Sequence, residues 1–285
     1  TPFSKEVDAP DVIGKPIGAG LRDALARRGA PLPERIVMLN DTAATLLAGA
    51  SGGVQGAPLV GFILGTGINI AYTETCIPKI GFDSPDSPQI VVCETGNFAH
   101  RYMGALDREF DSATKNPGAY TLEKTVSGAY LGPLTFHILK RALTDGVFSF
   151  ARQDEFLALP TLTTKDLNTF LRENSGPIAE LFGAGEQNAA ASVMYLSSIV
   201  TKRGAALASA MLAAAVEKTG SGENPLVPVR IAVEGTTYLL YEGMRDAIES
   251  RLHVLLNRHK PRSYRITTVE QASLLGAGVA AVFSA

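Results

Sequence analysis

Tryptophan is absent from this 285-residue sequence, cysteine occurs twice and histidine four times. Cys76 and Cys93, with so few histidines, cannot compose a zinc site or the disulfide framework of a small secreted domain. A reducing, cytoplasmic setting is the expectation. An excess of one charge is also lacking: 26 Lys+Arg oppose 28 Asp+Glu, a formal net charge of −2. No Lys/Arg run is dense enough for nucleic acid or an anionic membrane, so neither is an expected partner. Long apolar runs are missing too. The most apolar stretch, Gly204 to Val216, is shorter than the ~20 residues a membrane-spanning helix needs and follows Lys202 and Arg203, so it reads as a buried helix. The opening residues, Thr1-Pro2-Phe3-Ser4-Lys5-Glu6, have no initiator Met and no basic or apolar signal region. The chain reads as starting partway into a longer protein.

What the sequence does hold is apolar side chain, 46% of its residues, enough to bury a real core in one large or two smaller domains. Residues 1 to 35 are rich in proline and carry one amphipathic helical pattern, Ile17 to Arg28. Ile36 to Leu39 is a continuous apolar run, the pattern of a strand buried on both faces, and an Ala/Leu-rich helix follows to about Gly49. Leu59 to Leu64 and Ile68 to Tyr72 are separated only by Gly65-Thr66-Gly67, a connection short enough to force an antiparallel hairpin. Ile90 to Cys93 is a further strand. Helical periods then cover Tyr120 to Leu143, Thr164 to Arg172 and Asn188 to Thr219. The chain ends as strand (Val229 to Val233), helix (Tyr241 to Leu256), strand (Tyr264 to Thr268) and a helix from Gln271. That order predicts an α/β fold whose mixed sheet is flanked by helices and interrupted by a helical insertion.

Five segments can carry chemistry. The glycines of Gly65-Thr66-Gly67 permit positive φ, and the bend can offer N–H groups and the Thr66 hydroxyl to a phosphate, or be only a hairpin. Asn40-Asp41-Thr42 is either a helix N-cap or a carboxylate poised to take a proton from an attacking hydroxyl. Glu94 and Glu123 sit at the ends of apolar segments, where they can accept hydrogen bonds from a polyol or simply face water. Glu234-Gly235-Thr236-Thr237 is a strand end able to meet a nucleotide, or a plain turn.

Taken in order, these segments resemble the hexokinase family of the actin-like (ribonuclease H-like) sugar-kinase superfamily. Ile36 to Thr45, IVMLNDTAAT, resembles its catalytic-aspartate segment, and Val60 to Tyr72, VGFILGTGINIAY, its second phosphate loop. Asn116 to Gly132, NPGAYTLEKTVSGAYLG, is the most specific stretch; Thr201 to Ala206 and Ala232 to Tyr238 resemble a T/S-x-R-A-A helix and the adenosine segment. The resemblance implies an ATP- and Mg2+-dependent kinase acting on the 6-hydroxyl of a hexose, glucose foremost. Asp41 would be the general base. Ser4, Lys5, Asn40, Asn69, Glu94 and Glu123 would bind sugar hydroxyls. Gly65, Thr66 and Gly67 would hold phosphates, with Gly128, Gly235, Thr236 and Ser273 lining the nucleotide, and no protein metal ligands are implied. Residues 1–39 would be the remainder of a small domain, 40–270 a large domain, and 271–285 a helix returning toward the small one.

Some positions depart from the family pattern. Glu94-Thr95-Gly96 lacks an aromatic residue after the glutamate, Glu234 stands where Asp is expected, and Ser4 where Thr is. No Asp-x-Gly-Gly-Thr-x-x-Arg first phosphate loop occurs, so the resemblance makes an N-terminal lobe a missing partner and this chain weak or inactive alone. A catalytically silent sugar sensor and an actin-like assembly ATPase are the competing expectations.

Overall fold

The computed structural model describes residues 10–50, 57–84 and 86–283, so Ser4 and Lys5 lie outside the described residues. Its chain opens with α1 (Ile17–Arg27) and α2 (Asp41–Ala50), followed by the strands β1 (Leu59–Leu64), β2 (Ile68–Glu74), β3 (Cys76–Ile77), β4 (Phe82–Asp83) and β5 (Gln89–Val92). The helical insertion comprises α3 (Ala105–Ser112), α4 (Thr121–Val126), α5 (Leu131–Thr144), α6 (Gln153–Ala158), α7 (Thr164–Glu173), α8 (Gly176–Ala179) and α9 (Gln187–Lys218). Then β6 (Val229–Glu234), α10 (Thr236–Leu240), α11 (Met244–Asn257), β7 (Tyr264–Thr268) and α12 (Ala272–Phe283) complete the fold.

The main sheet runs β5-β2-β1-β6-β7, antiparallel across β5, β2 and β1 and parallel across β1, β6 and β7, the expected mixed sheet. Helices cover both faces, which is why β1 reads LVGFIL without polar alternation. On one face α2 packs against β1 and β6, with α12 alongside it; α9 and α11 pack together on the other. The α2 layer is drawn in by residues with almost no side chain. A Cβ on Gly61 of β1 would lie 2.6 Å from the Thr42 carbonyl, and one on Gly276 of α12 would lie 1.7 Å from the Ala44 carbonyl. Gly204 to Val216 falls within α9, the one helix among the described residues long and apolar enough to cross a membrane by composition, and 61% of that apolar window is buried inside the protein. Here it is a core helix.

Three sequence expectations need correction. Ile36 to Leu39 is not a strand. A strand needs a neighbour to take its N–H and C=O groups, no described strand lies beside it, and Val37 and Met38 are exposed. The helix expected from Tyr120 to Leu143 is two helices. Between α4 and α5 the chain turns its amides outward, Gly128 N–H donating to the Gly65 carbonyl at 2.8 Å and Ala129 N–H to that of Thr66 at 3.1 Å. The helix expected from Tyr241 begins at Met244 instead, because Gly243 at φ +71° breaks it from the short α10.

Candidate active site

Asn40 and Asp41 stand at the start of α2, not at the end of a strand. Asn40 is the N-cap: its Oδ1 accepts the Thr42 and Ala43 amides at 2.8 and 3.4 Å, and its carbonyl takes the Ala44 amide. The cap reading therefore holds for Asn40 and frees its neighbour from that duty. Asp41 Oδ1 accepts the Thr42 amide at 2.7 Å and the Thr42 hydroxyl at 3.1 Å, while Oδ2 has no partner among the described residues. Asp41 is thus held through one oxygen and exposes the other.

Asp41 lines a cavity of about 220 Å³ together with Asn40, Asn69, Glu94, Tyr120 and Glu123 among others. Asn69 at the start of β2 has its amide orientation set by the backbone. Its Oδ1 accepts Ile70 N–H at 2.8 Å and Thr95 N–H at 3.1 Å, which turns Nδ2 toward Glu94 Oε1 at 3.3 Å. Asn40 Nδ2 reaches the same carboxylate oxygen at 3.5 Å. Glu123 enters from α4 and is buried, its Oε2 accepting Ile68 N–H at 3.4 Å. Glu94 and Tyr120 are both non-glycine residues in the left-handed region, at φ 50° and 55°. Such strained backbone concentrates at ligand sites, and both residues face this cavity. Next to Glu94, the Cys93 thiol is pushed up, first by partial burial and then by the Glu94 carboxylate.

The hairpin 65–67 separates this cavity from a second, of about 510 Å³, with Gly67 lining the first and Thr66 the second. Neither Gly65 nor Gly67 uses the positive φ open to it, and the turn closes through Gly65 N–H to the Gly67 carbonyl at 2.9 Å. The Gly65 carbonyl in turn accepts both Gly128 N–H and the Thr237 hydroxyl, each at 2.8 Å. A Cβ on Gly128 would sit 2.2 Å from the Thr237 hydroxyl oxygen. Thr66, Gly128 and Thr236 line the larger cavity as expected. Gly235 is not among its lining residues. At φ +122° it starts α10, with its Cα against Gly65. Nor is Ser273: its hydroxyl donates to Glu234 Oε2 at 2.7 Å, an oxygen that Thr45 also reaches at 3.0 Å.

Sequence reasoning missed the far wall. Lys165, Asn168 and Arg172 of α7 line the larger cavity beside Leu240 and Tyr241. Asn168 and Arg172 both donate to the Leu240 carbonyl, at 3.1 and 2.9 Å, and Asn168 Oδ1 accepts Glu242 N–H at 2.8 Å. The only signal for them was an Asn and an Arg on the polar face of an amphipathic helix, which is also what a solvated face looks like. Burial pushes the Tyr241 phenol up to about 12, so it stays protonated in that wall.

Behind the smaller cavity two buried carboxylates of α3 anchor the surrounding loops. Asp107 takes both outer nitrogens of Arg203 from α9 at 2.7 Å and the Gly104 amide at 2.7 Å. Asp111 pairs with Lys124 of α4 and accepts Gly118 N–H at 2.7 Å, and Lys124 also donates to the Asn116 carbonyl at 2.6 Å. Nearby, buried His100 meets Thr125 Oγ1 through Nε2 at 3.0 Å. That hydroxyl already donates to the Thr121 carbonyl, so Nε2 carries the proton and Nδ1 is bare, without a partner among the described residues. Burial lowers the His100 pKa below its ordinary 6.5. Below that pH the unfolded chain binds more protons, so stability is expected to fall as pH drops through about 6.5. Urea midpoints measured across that range should show a smaller decline in His100→Gln than in the parent sequence.

A hexokinase family model matches residues 59–283. Hexokinase-7 of Oryza sativa subsp. japonica is 30% identical over 98% of this chain and 63% of its own length. A crystal structure of hexokinase superposes with a TM-score of 0.74 at 27% identity, covering 98% of this chain and 61% of that one. The hexokinase from Schistosoma mansoni complexed with glucose gives 0.76 at 22% identity, covering 99% and 65%. The chain spans about three fifths of the length of the curated relatives it matches.

Proposed function

We propose, since this chain belongs to the hexokinase family, that its protein is an ATP-dependent hexose kinase transferring the γ-phosphoryl group to a sugar hydroxyl. The supporting observation is two cavities meeting at one hairpin, Asp41 on the smaller side and Thr66 on the larger. A polyol offers many donors, and the smaller cavity supplies acceptors on Asp41, Glu94 and Glu123. The larger lies in the usual range for a small-molecule site and is lined by hydroxyls, the cations Lys165 and Arg172, and apolar Leu240. Asp41 Oδ2 takes the hydroxyl proton as that oxygen attacks phosphorus. In a loose transition state the proton leaves late, so positioning by Asn40, Asn69 and the two glutamates contributes most.

Among the described residues no group of three or more His, Cys, Asp or Glu could cage a metal ion. In this reading Mg2+ arrives as Mg-ATP, since Mg2+ is commonly held by substrate phosphates and one or two carboxylates. In this reading a further lobe of the full protein closes over both cavities and excludes water. Calorimetric titration of this chain with glucose and with Mg-ATP, beside a coupled ADP-release assay, tests the reading. The expected result is hexose binding without turnover. Turnover comparable with a whole kinase, ~1–100 s⁻¹, would remove the need for the additional lobe, and absence of any glucose heat would count against the sugar site.

A further inference from the structure

Among the residues lining the smaller cavity Tyr120 is the one aromatic, the others being carboxylates, amides, glycines, Ile63 and Ile68. Thr95, beside Glu94, is buried and does not line it.

The backbone at Tyr120 does not account for a tyrosine. This residue is the N-cap of α4, at φ 55° and ψ 39°. Its carbonyl accepts the Lys124 amide at 2.9 Å, and its N–H donates to Asn97 Oδ1 at 3.4 Å. A glycine takes up this left-handed conformation freely, whereas a bulky residue does so only at a cost. Glycine would therefore serve the start of α4 better, and the side chain is left to be explained by what it meets. Half-buried, it has no hydrogen bond from its hydroxyl and no aromatic or cationic partner for its ring among the described residues. What it does border is the cavity.

A pyranose supplies a match. Its hydroxyls lie around its edge, where Asp41, Glu94 and Glu123 offer acceptors, while C–H bonds polarised by neighbouring oxygens form apolar patches on its two faces. The face of an aromatic ring is negative and attracts such hydrogens. We propose, resting on the hexose reading above, that Tyr120 is a specificity-determining residue whose ring packs on a C–H face of the bound sugar and so selects closed pyranose rings over open-chain polyols. The carboxylates and amides answer to hydroxyls, which an open chain also carries. Only the tyrosine ring requires a flat apolar face.

Amide NMR titration of this chain with glucose and with sorbitol, the open-chain hexitol of the same configuration, tests the proposal through the Asn69 and Thr95 resonances. Glucose should bind more tightly than sorbitol. Tyr120→Phe should hold glucose within about twofold of the parent, and Tyr120→Gly should weaken it by about tenfold with sorbitol nearly unaffected. Since glycine relieves the left-handed backbone, the urea midpoint of Tyr120→Gly should not fall, a split between affinity and stability that a merely structural tyrosine would not give. Tyr120→Leu keeps bulk without a flat face and should also bind glucose more weakly than Tyr120→Phe, which covers a loss of folding in the glycine variant. Three results would overturn the inference and leave the sugar site standing: Tyr120→Gly and Tyr120→Leu holding glucose as the parent does, Tyr120→Phe losing as much as Tyr120→Gly, or sorbitol losing as much as glucose. No saturable glucose shift in the parent by roughly 100 mM would instead overturn the hexose reading itself, and this inference with it.

Discussion

Asp41→Asn in the full-length protein is expected, on the kinase proposal, to lower kcat by about 10²–10⁴-fold, the usual worth of a positioned general base, with little change in the hexose KM. The expectation rests on how the carboxylate is held. Oδ1 is engaged by the Thr42 amide and hydroxyl, and the amide oxygen of Asn can keep both bonds, so the substitution removes the basic oxygen and little else. Helix capping does not confuse the result, because the cap of α2 is Asn40. Steady-state kinetics of both proteins, with urea unfolding as a control, decides the matter. A loss under tenfold, or a loss explained by lower stability, would end the assignment.

Lys124→Met should lower stability by about 3–5 kcal/mol, the typical cost of stranding one partner of a buried ion pair. The side chains of Lys124 and Asp111 are 4% and 12% exposed. Removing the ammonium leaves the carboxylate with only the Gly118 amide among the described residues. Adding Asp111→Asn should recover most of the loss, since the buried charge disappears while an oxygen still accepts from Gly118. Denaturant midpoints of the single and double variants measure this. A double variant no more stable than Lys124→Met would mean that packing of the lysine stem, and not charge, carries the effect. Lys124 also restrains residues 116–120 next to Tyr120 and Glu123, so Lys124→Met should weaken hexose binding as well as folding.

Much of this architecture was legible because its signals are local. The hairpin of β1 and β2 follows from a three-residue connection, β7 has the predicted ends, and α9 has an unbroken helical period. The same local view failed where distant groups decide. Ile36 to Leu39 has the composition of a buried strand, but composition does not supply a neighbouring strand. The break after α4 is invisible in the sequence, since it exists to deliver the Gly128 and Ala129 amides to a turn sixty residues earlier. The site was readable where resemblance supplied spacing: Asn40, Asp41, Asn69, Glu94 and Glu123 do line one cavity. It was unreadable for Lys165, Asn168 and Arg172, ordinary residues of a polar helix face until α10 is laid against them. Ser273, expected on the nucleotide wall, is not among the larger cavity's lining residues and donates its hydroxyl to Glu234.

The seating of α12 on α2 has a mechanical corollary. With Gly276 Cα pressed on the turn that carries Ala44, the two helices have no play between them, and Asp41 begins the helix that Ala44 continues. A displacement of the C-terminal helix is therefore passed to the turn that bears Asp41, since no side chain lies between Gly276 and the Ala44 backbone to absorb it. A tether near the exposed Phe283 would work as a handle on the carboxylate proposed as the base.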